Sequence, residues 1–294
     1  MRKIFRDSHL EGHFAKAGYN KVPMISPDEI QHILDEMSKM RPEDEFAYND
    51  KNRFKISYHC SFLDTNKQYK RQVHSLITKV FTPYVEKYLQ DYRIINANFY
   101  VKPPHKGDFA IHQNWPILQD LEDTSVTIWC PLQDTYRENG TIQFVPGSHK
   151  ILPHVEGPAL PGYFKDFKQE LIDRWLQPVD VKAGEATIFD DGLIHWTAKN
   201  DSDQPRIAIQ ILCIPKDKKP VHFVGIPDDP SRLEVVEADE DFFIEQDFED
   251  LVGRKPEWKS LGFVPNRNRF ITEQEFADLL KRGDEIRKVC YASL

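Results

Sequence analysis

The sequence predicts a mainly β protein with flanking helices, either a β-barrel or a double-sheet jelly roll. Three observations carry that expectation. Apolar residues recur at helical spacing up to about residue 90, and from Tyr92 they alternate singly, as in Ile95, Ala97, Phe99 and Val101. Short β-type runs then follow one another, separated by Glu138-Asn139-Gly140, Pro146-Gly147-Ser148, Lys182-Ala183-Gly184 and Asp190-Asp191-Gly192, all turn chemistry. A helical pattern returns near the end of the chain. Helices, then short punctuated strands, then helices is the order of a jelly roll with helical flanks.

Taken in order, residues 1–25 are mixed and polar until Gly18 to Met24, which reads as a short strand. Ser26-Pro27-Asp28-Glu29 starts a helix: serine caps free amides, proline suits the first helical position, and Glu29 completes a capping box. Ile30, Ile33, Leu34 and Met37 give that helix one apolar face. Arg41 to Asp50 reads as a loop, and His59-Cys60-Ser61-Phe62 has no clear assignment. Val73, Leu76, Ile77 and Val80 mark a second amphipathic helix, which Pro83 is expected to break or restart before Tyr84 to Leu89. The strand runs are Tyr92 to Val101, Ser125–Pro131, Thr141–Val145, Ala186–Phe189, Arg206–Ile214 and Val221–Ile226. Ile207 to Leu212 is nearly continuous in apolar residues, as for a strand buried on both faces. Residues 155–178 form a long insertion, part helical around Phe164–Leu176. Beyond Ile226 the chain turns acidic and aromatic, reading as loop or short helix over 237–250. Thr272-Glu-Gln-Glu275 then launches a last helix with Phe276, Leu279 and Leu280 inward. The expected organisation is a jelly-roll domain with N-terminal helices over 1–226, and a helical or loop extension over 227–294 that packs on it.

Bulk properties narrow the function classes. A net charge of −8 with no basic stripe argues against nucleic acid as a partner. No run of 18 apolar residues is present, so no membrane span is expected. Cys60, Cys130, Cys213 and Cys290 show neither zinc-ligand nor redox spacing, and the first residues lack the apolar stretch of a secretory signal. A cytoplasmic protein acting on a small molecule is the expectation. Oligomeric state is not legible.

Two histidines stand out by context. His112 lies in Ile111-His112-Gln113-Asn114-Trp115, after a strand that ends at Lys102-Pro103-Pro104. His195 lies just past the Asp190-Asp191-Gly192 turn. His9, His13, His32, His59, His74, His105, His154 and His222 have no such setting and read as ordinary surface or core residues. Arg206 opens an otherwise apolar strand. If it points inward it needs an anion, because an unpaired buried cation is costly, and a carboxylate would meet a guanidinium in two parallel hydrogen bonds. The duller reading is a surface arginine at a strand end.

These pieces together resemble the phytanoyl-CoA dioxygenase family of iron(II)- and 2-oxoglutarate-dependent oxygenases, over about Gly18 to Ile214. The matching segments are Lys102-Pro103-Pro104, His112 to Trp115, Ser125 to Leu132, Glu138 to Thr141, Val145 to His149, and His195 through Asn200 to Arg206. The resemblance implies a double-stranded β-helix, the cupin-like jelly-roll barrel. It implies His112 and His195 as iron ligands, Arg206 as the holder of the distal carboxylate of 2-oxoglutarate, and His149 as a turn residue. Lys102 and Trp129 are further candidates for the cofactor-binding wall. Trp115 and Trp196 are candidates to flank the substrate, with packing as the alternative role for both.

The resemblance also exposes a departure. Two imidazoles and a carboxylate leave three positions on iron for a 2-oxo acid and dioxygen. The carboxylate belongs two residues after the first histidine, where this chain has Asn114. Three readings follow. In the first, the Asn114 amide oxygen coordinates, or Asp108 or Asp120 reaches the metal, and the chain oxygenates its substrate. In the second, the open position takes chloride, as in halogenases of the superfamily. In the third, the jelly roll binds a ligand or partner without oxygenation, and Asn114→Asp restores iron binding.

Overall fold

The computed structural model describes residues 2–46, 56–120, 123–158, 160 and 162–283. The residues 47–50 of the expected loop lie outside that set. Helix α1 (Ser8–Ala17) begins under an Asp7 cap and ends at Gly18, in the left-handed conformation. The polar N-terminal stretch thus holds a helix that periodicity did not reveal, although Asp7 and Gly18 are its expected stop signals. Strand β1 (Tyr19–Pro23) follows, then α2 (Pro27–Lys39) with the full Ser26–Glu29 capping box. His59–Cys60 is a short strand, β2, at a sheet edge.

Helix α3 (Lys67–Tyr88) runs through Pro83 without a break. One internal proline costs roughly 3 kcal/mol. Val73, Ile77, Val80, Phe81 and Val85 are all buried on this helix, at roughly 1.5–3 kcal/mol each. Packing on both sides of the proline therefore outweighs the missing hydrogen bond, and the expected break does not occur.

The remaining strands are β3 (Tyr92–Lys102), β4 (Val126–Pro131), β5 (Ile142–Phe144), β6 (Gln177–Pro178), β7 (Glu185–Asp190), β8 (His195–Thr197), β9 (Arg206–Pro215), β10 (Val221–Gly225), β11 (Arg232–Glu237) and β12 (Ser260–Pro265). They form a large antiparallel sheet, β1-β7-β4-β9-β3-β2, and a small one, β6-β5-β8. The small sheet is extended by a bridge in which His112 and His195 exchange both backbone hydrogen bonds, at 3.1 and 2.9 Å. This is a double-sheet jelly roll. Its two sheets are not hydrogen-bonded into a closed barrel.

Strand alternation divides the large sheet into two faces. Ala97, Phe99, Val101, Val126, Ile128, Ile209 and Ile211 pack with α3 in the main core. Asn96, Asn98, Tyr100, Lys102, Thr127, Trp129, Arg206, Gln210 and Leu212 line a cavity on the opposite face. Strand β9 is thus covered on both sides, as its continuous apolar run predicted.

The stretch after residue 226 contains more strand than its composition suggested. β10, β11 and β12 form a third antiparallel sheet, so pairing crosses the expected boundary at 226. Short helices α4 (Phe242–Glu245) and α5 (Phe248–Val252) lie between β11 and β12. The last described helix, Glu273–Lys281, has Thr272 accepting from the Glu275 amide at 3.2 Å, while the Glu275 carboxylate pairs with Arg269 at 2.7 Å.

The Asn139-Gly140 turn supports the cavity wall. Asn139 donates to the Asp134 carbonyl and accepts from the Tyr136 amide, and Gly140 sits at φ 75°. A Cβ there would stand 2.5 Å from the Ala198 carbonyl oxygen, which receives a hydrogen bond from Lys102. Gly140→Ala is expected to destabilise the fold by roughly 1–3 kcal/mol. An unchanged urea midpoint would contradict this account of the turn.

Candidate functional site

The bridge between 112 and 195 brings the two imidazoles together, with ring centroids 4.2 Å apart. Each ring is fixed by its own strand. His112 Nδ1 lies 2.8 Å from the Ala110 carbonyl, and His195 Nδ1 lies 2.8 Å from the Leu193 carbonyl. A carbonyl only accepts, so both rings carry the proton on Nδ1 and keep a lone pair on Nε2. Burial lowers both pKa values, that of His112 to about 4 and that of His195 well below the usual histidine range. The pair is therefore neutral at physiological pH. Phe109 packs at a tilt against the His112 ring and Phe189 against the His195 ring, each with centroids 4.8 Å apart.

Asn114 joins them. Its Nδ2 lies 2.8 Å from Thr127 Oγ1 and 3.1 Å from Asp191 Oδ1, while Thr127 Oγ1 lies 2.6 Å from the same Asp191 oxygen. Thr127 gives its one proton to the carboxylate and can only accept from Asn114. The atom of Asn114 facing both must then be the NH2 group. The amide oxygen is left for the other side, where the side chain is within hydrogen-bonding reach of His112. Two imidazole nitrogens and one amide oxygen form a donor set suited to a first-row transition metal.

Asp108 and Asp120 are both exposed, and Asp120 lies 3.9 Å from Lys218. Among the described residues no trio of His, Cys, Asp or Glu is placed to hold a metal ion. Neither aspartate stands at the histidine pair. The carboxylate bonded to Asn114 is Asp191, which the sequence presented only as part of a turn. It is 4% exposed and anchored to position 114 twice, since the Asn114 amide also donates to the Asp191 carbonyl at 2.9 Å. Burial raises its pKa, and hydrogen bonds from Ser125, Thr127 and Asn114 work against that rise.

At another wall of the cavity, Lys102 and Arg206 face each other across β3 and β9. Lys102 Nζ donates to the Thr197 and Ala198 carbonyls at 2.8 and 2.5 Å. Burial, and then Arg206, hold its pKa well below the usual lysine range. Arg206 is 2% exposed, with its guanidinium 5.5 Å from the Trp129 ring. Its Nε and Nη1 have no hydrogen-bond partner, and burial lowers its pKa to about 9. A buried guanidinium with free donors is a receptor for an anion. The loop behind it is held by Asn200, whose Nδ2 reaches the carbonyls of Lys102, Pro103 and Gln204.

The cavity encloses about 500 Å³ and contains the histidines, Asn114, Lys102, Trp129 and Arg206 together. Its far wall is apolar, from Phe62, Trp115, Ile117, Leu212, Phe243 and Phe248. Trp115 packs there 5.8 Å from Phe248 and 6.1 Å from Phe62. Trp196 points the other way: alternation along β8 places it in the cluster containing Ile111, Trp175 and Phe276. His149 is buried near Gly18 and Phe14, apart from the histidine pair.

Comparison with known proteins accords with this geometry. A family model described as phytanoyl-CoA dioxygenase (PhyH) matches residues 14–208. This chain belongs to the phytanoyl-CoA dioxygenase family. Among similar sequences, phytanoyl-CoA dioxygenase domain-containing protein 1 of Danio rerio is 28% identical over 151 residues, 47% of this chain and 50% of that protein. Phytanoyl-CoA dioxygenase 1 of Oryza sativa subsp. japonica is 27% identical over 133 residues, 41% of this chain and 44% of that protein. The chain thus spans about half the length of the curated relatives it matches. Among solved structures, the non-heme alpha ketoglutarate dependent carbocyclase SnoK from nogalamycin biosynthesis superposes with a TM-score of 0.54 at 17% identity, covering 73% of this chain and 86% of that one. The epimerase SnoN, in complex with Fe3+, alpha ketoglutarate and nogalamycin RO, gives 0.52 at 18% identity, covering 91% and 96%. These structures share the fold. The family match ends at 208, so Phe243 and Phe248 belong to a part of the chain it does not describe.

Glu156 also lines the cavity, accepting from the Gln113 amide at 3.0 Å. Burial raises its pKa from the ordinary value of 4.5 to about 7, against the Gln113 amide and Lys168. The folded state then holds a proton that the unfolded chain releases first. Stability from this group is fully present below about pH 4.5 and is lost as pH rises through about 7. Thermal melts should show Glu156→Gln flattening that decline. Parallel pH profiles for the two proteins would contradict the assignment.

Proposed function

We propose that this protein is an Fe(II)- and 2-oxoglutarate-dependent dioxygenase that hydroxylates a small molecule with a substantial apolar part. The observation that carries the proposal is Arg206: a fully buried cation with two unpaired donors, in the same cavity as two neutral histidines. A dicarboxylate co-substrate answers both requirements. Arg206 would hold one of its carboxylates, and the histidine pair with Asn114 would hold the metal that its 2-oxo acid end needs. The fold shared with the alpha ketoglutarate dependent SnoK and with SnoN in complex with alpha ketoglutarate, and the family itself, support that reading.

In this reading His112 Nε2, His195 Nε2 and Asn114 Oδ1 hold the iron. When bound, iron and 2-oxoglutarate supply the oxidation of an unactivated C–H bond by dioxygen, with decarboxylation of the 2-oxo acid. The protein's own part is positional. The Nδ1 hydrogen bonds to Ala110 and Leu193 fix ring orientation and tautomer. Arg206 and Lys102 orient the co-substrate, and Trp129 packs against the guanidinium. Phe62, Trp115, Phe243 and Phe248 exclude water and receive the apolar part of the substrate. Halogenation is disfavoured because the Asn114 amide, tied to Thr127 and Asp191, fills the place a halide would need. A barrel that only binds a ligand would not require two tethered, neutral histidines facing one cavity.

Anaerobic addition of Fe(II) and 2-oxoglutarate is expected to give a metal-to-ligand charge-transfer band in the visible range. Arg206→Met is expected to weaken 2-oxoglutarate binding roughly 30-fold or more, since losing one partner of a buried charge pair costs about 2–5 kcal/mol. A folded wild-type protein with no band, or a variant with unchanged 2-oxoglutarate affinity, would contradict the proposal.

A further inference from the structure

Asp191 sits directly behind Asn114, and among the described residues no lysine, arginine or histidine forms an ion pair with it. Its side-chain hydrogen bonds, from Asn114 Nδ2 and Thr127 Oγ1, both fall on Oδ1, and its buried Oδ2 has no partner. Two donors meet one oxygen, and no acceptor is in place beside the other to take a proton from it, which fits a carboxylate. A buried anion with no cation beside it is costly, and a cation at the histidine pair would offset that cost.

We infer that Asp191 is the positioning residue of the metal site: it supplies, through the Asn114 amide, the negative charge that a carboxylate at 114 would supply directly. The Nδ2 contact of 3.1 Å to Asp191 polarises the amide toward its oxygen, and the Thr127 bridge prevents the amide from flipping. The ligand oxygen faces the metal because the nitrogen is committed to Asp191. This inference rests on the proposed iron site and extends it to a residue that does not touch the metal.

The arrangement makes an expectation drawn from the sequence fail in a specific way. Asn114→Asp alone should not strengthen metal binding, because it sets a second carboxylate against Asp191 at the distance now occupied by a hydrogen bond. Relieving that repulsion requires Asp191→Asn in the same protein. The double variant N114D/D191N contains the same two side chains as the wild type, exchanged.

The test uses the full chain in four forms: wild type, N114D, D191N and N114D/D191N. Fe(II) affinity with 2-oxoglutarate present is measured by anaerobic calorimetry, and thermal midpoints are recorded without metal. D191N is expected to lose about 10- to 100-fold in metal affinity, the usual effect of removing a ligand's supporting partner. N114D is expected to melt below the wild type without metal, and the exchanged double variant to recover both stability and affinity. If D191N does not fold, Thr127→Val is the substitute, since it removes only the bridging hydroxyl, and a several-fold loss of affinity is expected. Wild-type affinity in D191N or in the Thr127 variant would overturn the inference while leaving the iron site intact. So would N114D binding more tightly than the exchanged pair. Absence of Fe(II) binding by the wild type would overturn the proposed function as well as this inference.

Discussion

A fully buried guanidinium facing empty hydrogen-bonding positions is the constraint around which this jelly roll is arranged. Arg206 opens β9, the strand covered on both faces, so its side chain cannot reach solvent without unpicking the centre of the large sheet. Lys102 across β3 is also buried, but its amine donates to the Thr197 and Ala198 carbonyls. Of the two, Arg206 is the one with unpaired donors, and it lines a cavity that also holds a neutral histidine pair. Asp191 supplies the opposite imbalance, as a buried carboxylate with no ion-pair partner among the described residues. A bound anion and a bound cation would each settle one of these charges. In the absence of both, the protein carries electrostatic cost concentrated at its site, as pre-organised binding sites do.

The rest of the molecule makes that cost tolerable. Helix α3 buries enough apolar surface against the outer face of the large sheet to override its own internal proline. That face carries the stability, leaving the inner face free to hold Asn96, Asn98, Thr127, Arg206 and Gln210. The small sheet contributes the histidines by a different device: a single backbone bridge sets them opposite each other, and each ring is then tethered to a carbonyl two residues back. The region beyond residue 226 forms its own sheet and sends Phe243 and Phe248 into the cavity. Part of the cavity lining therefore lies outside the stretch that matches the family.

Much of this was legible in the sequence because strand alternation and turn residues are local signals. The change of period at Tyr92, the Ser26 cap, the Asn139-Gly140 turn and the double burial of Ile207 to Leu212 each follow from neighbours in the chain. Helix α1 escaped because its apolar face is a single buried phenylalanine, Phe14. Strands β11 and β12 escaped because their pairing is set by partners remote in sequence. Trp196 was paired with Trp115 as a cavity residue on the strength of adjacency to a histidine, whereas alternation turns it outward. The deepest omission was Asp191. Within Asp190-Asp191-Gly192 it has the composition of a turn, and only the fold brings its carboxylate against the Asn114 amide and Thr127. The inward threonine of Ser125-Val126-Thr127-Ile128 was the one local hint, a polar residue at a cavity-facing position of a buried strand.

The central claim is that Asn114 serves as a metal ligand through its oxygen, with Asp191 behind it. Anomalous diffraction at the iron edge, from crystals grown anaerobically with Fe(II) and 2-oxoglutarate, tests it directly. The account predicts one iron with His112 Nε2, His195 Nε2 and Asn114 Oδ1 within about 2.3 Å, as for other transition-metal nitrogen and oxygen ligands, and the far carboxylate of 2-oxoglutarate on Arg206. Iron bound without Asn114, or by Asp191 after displacement of the amide, would contradict it.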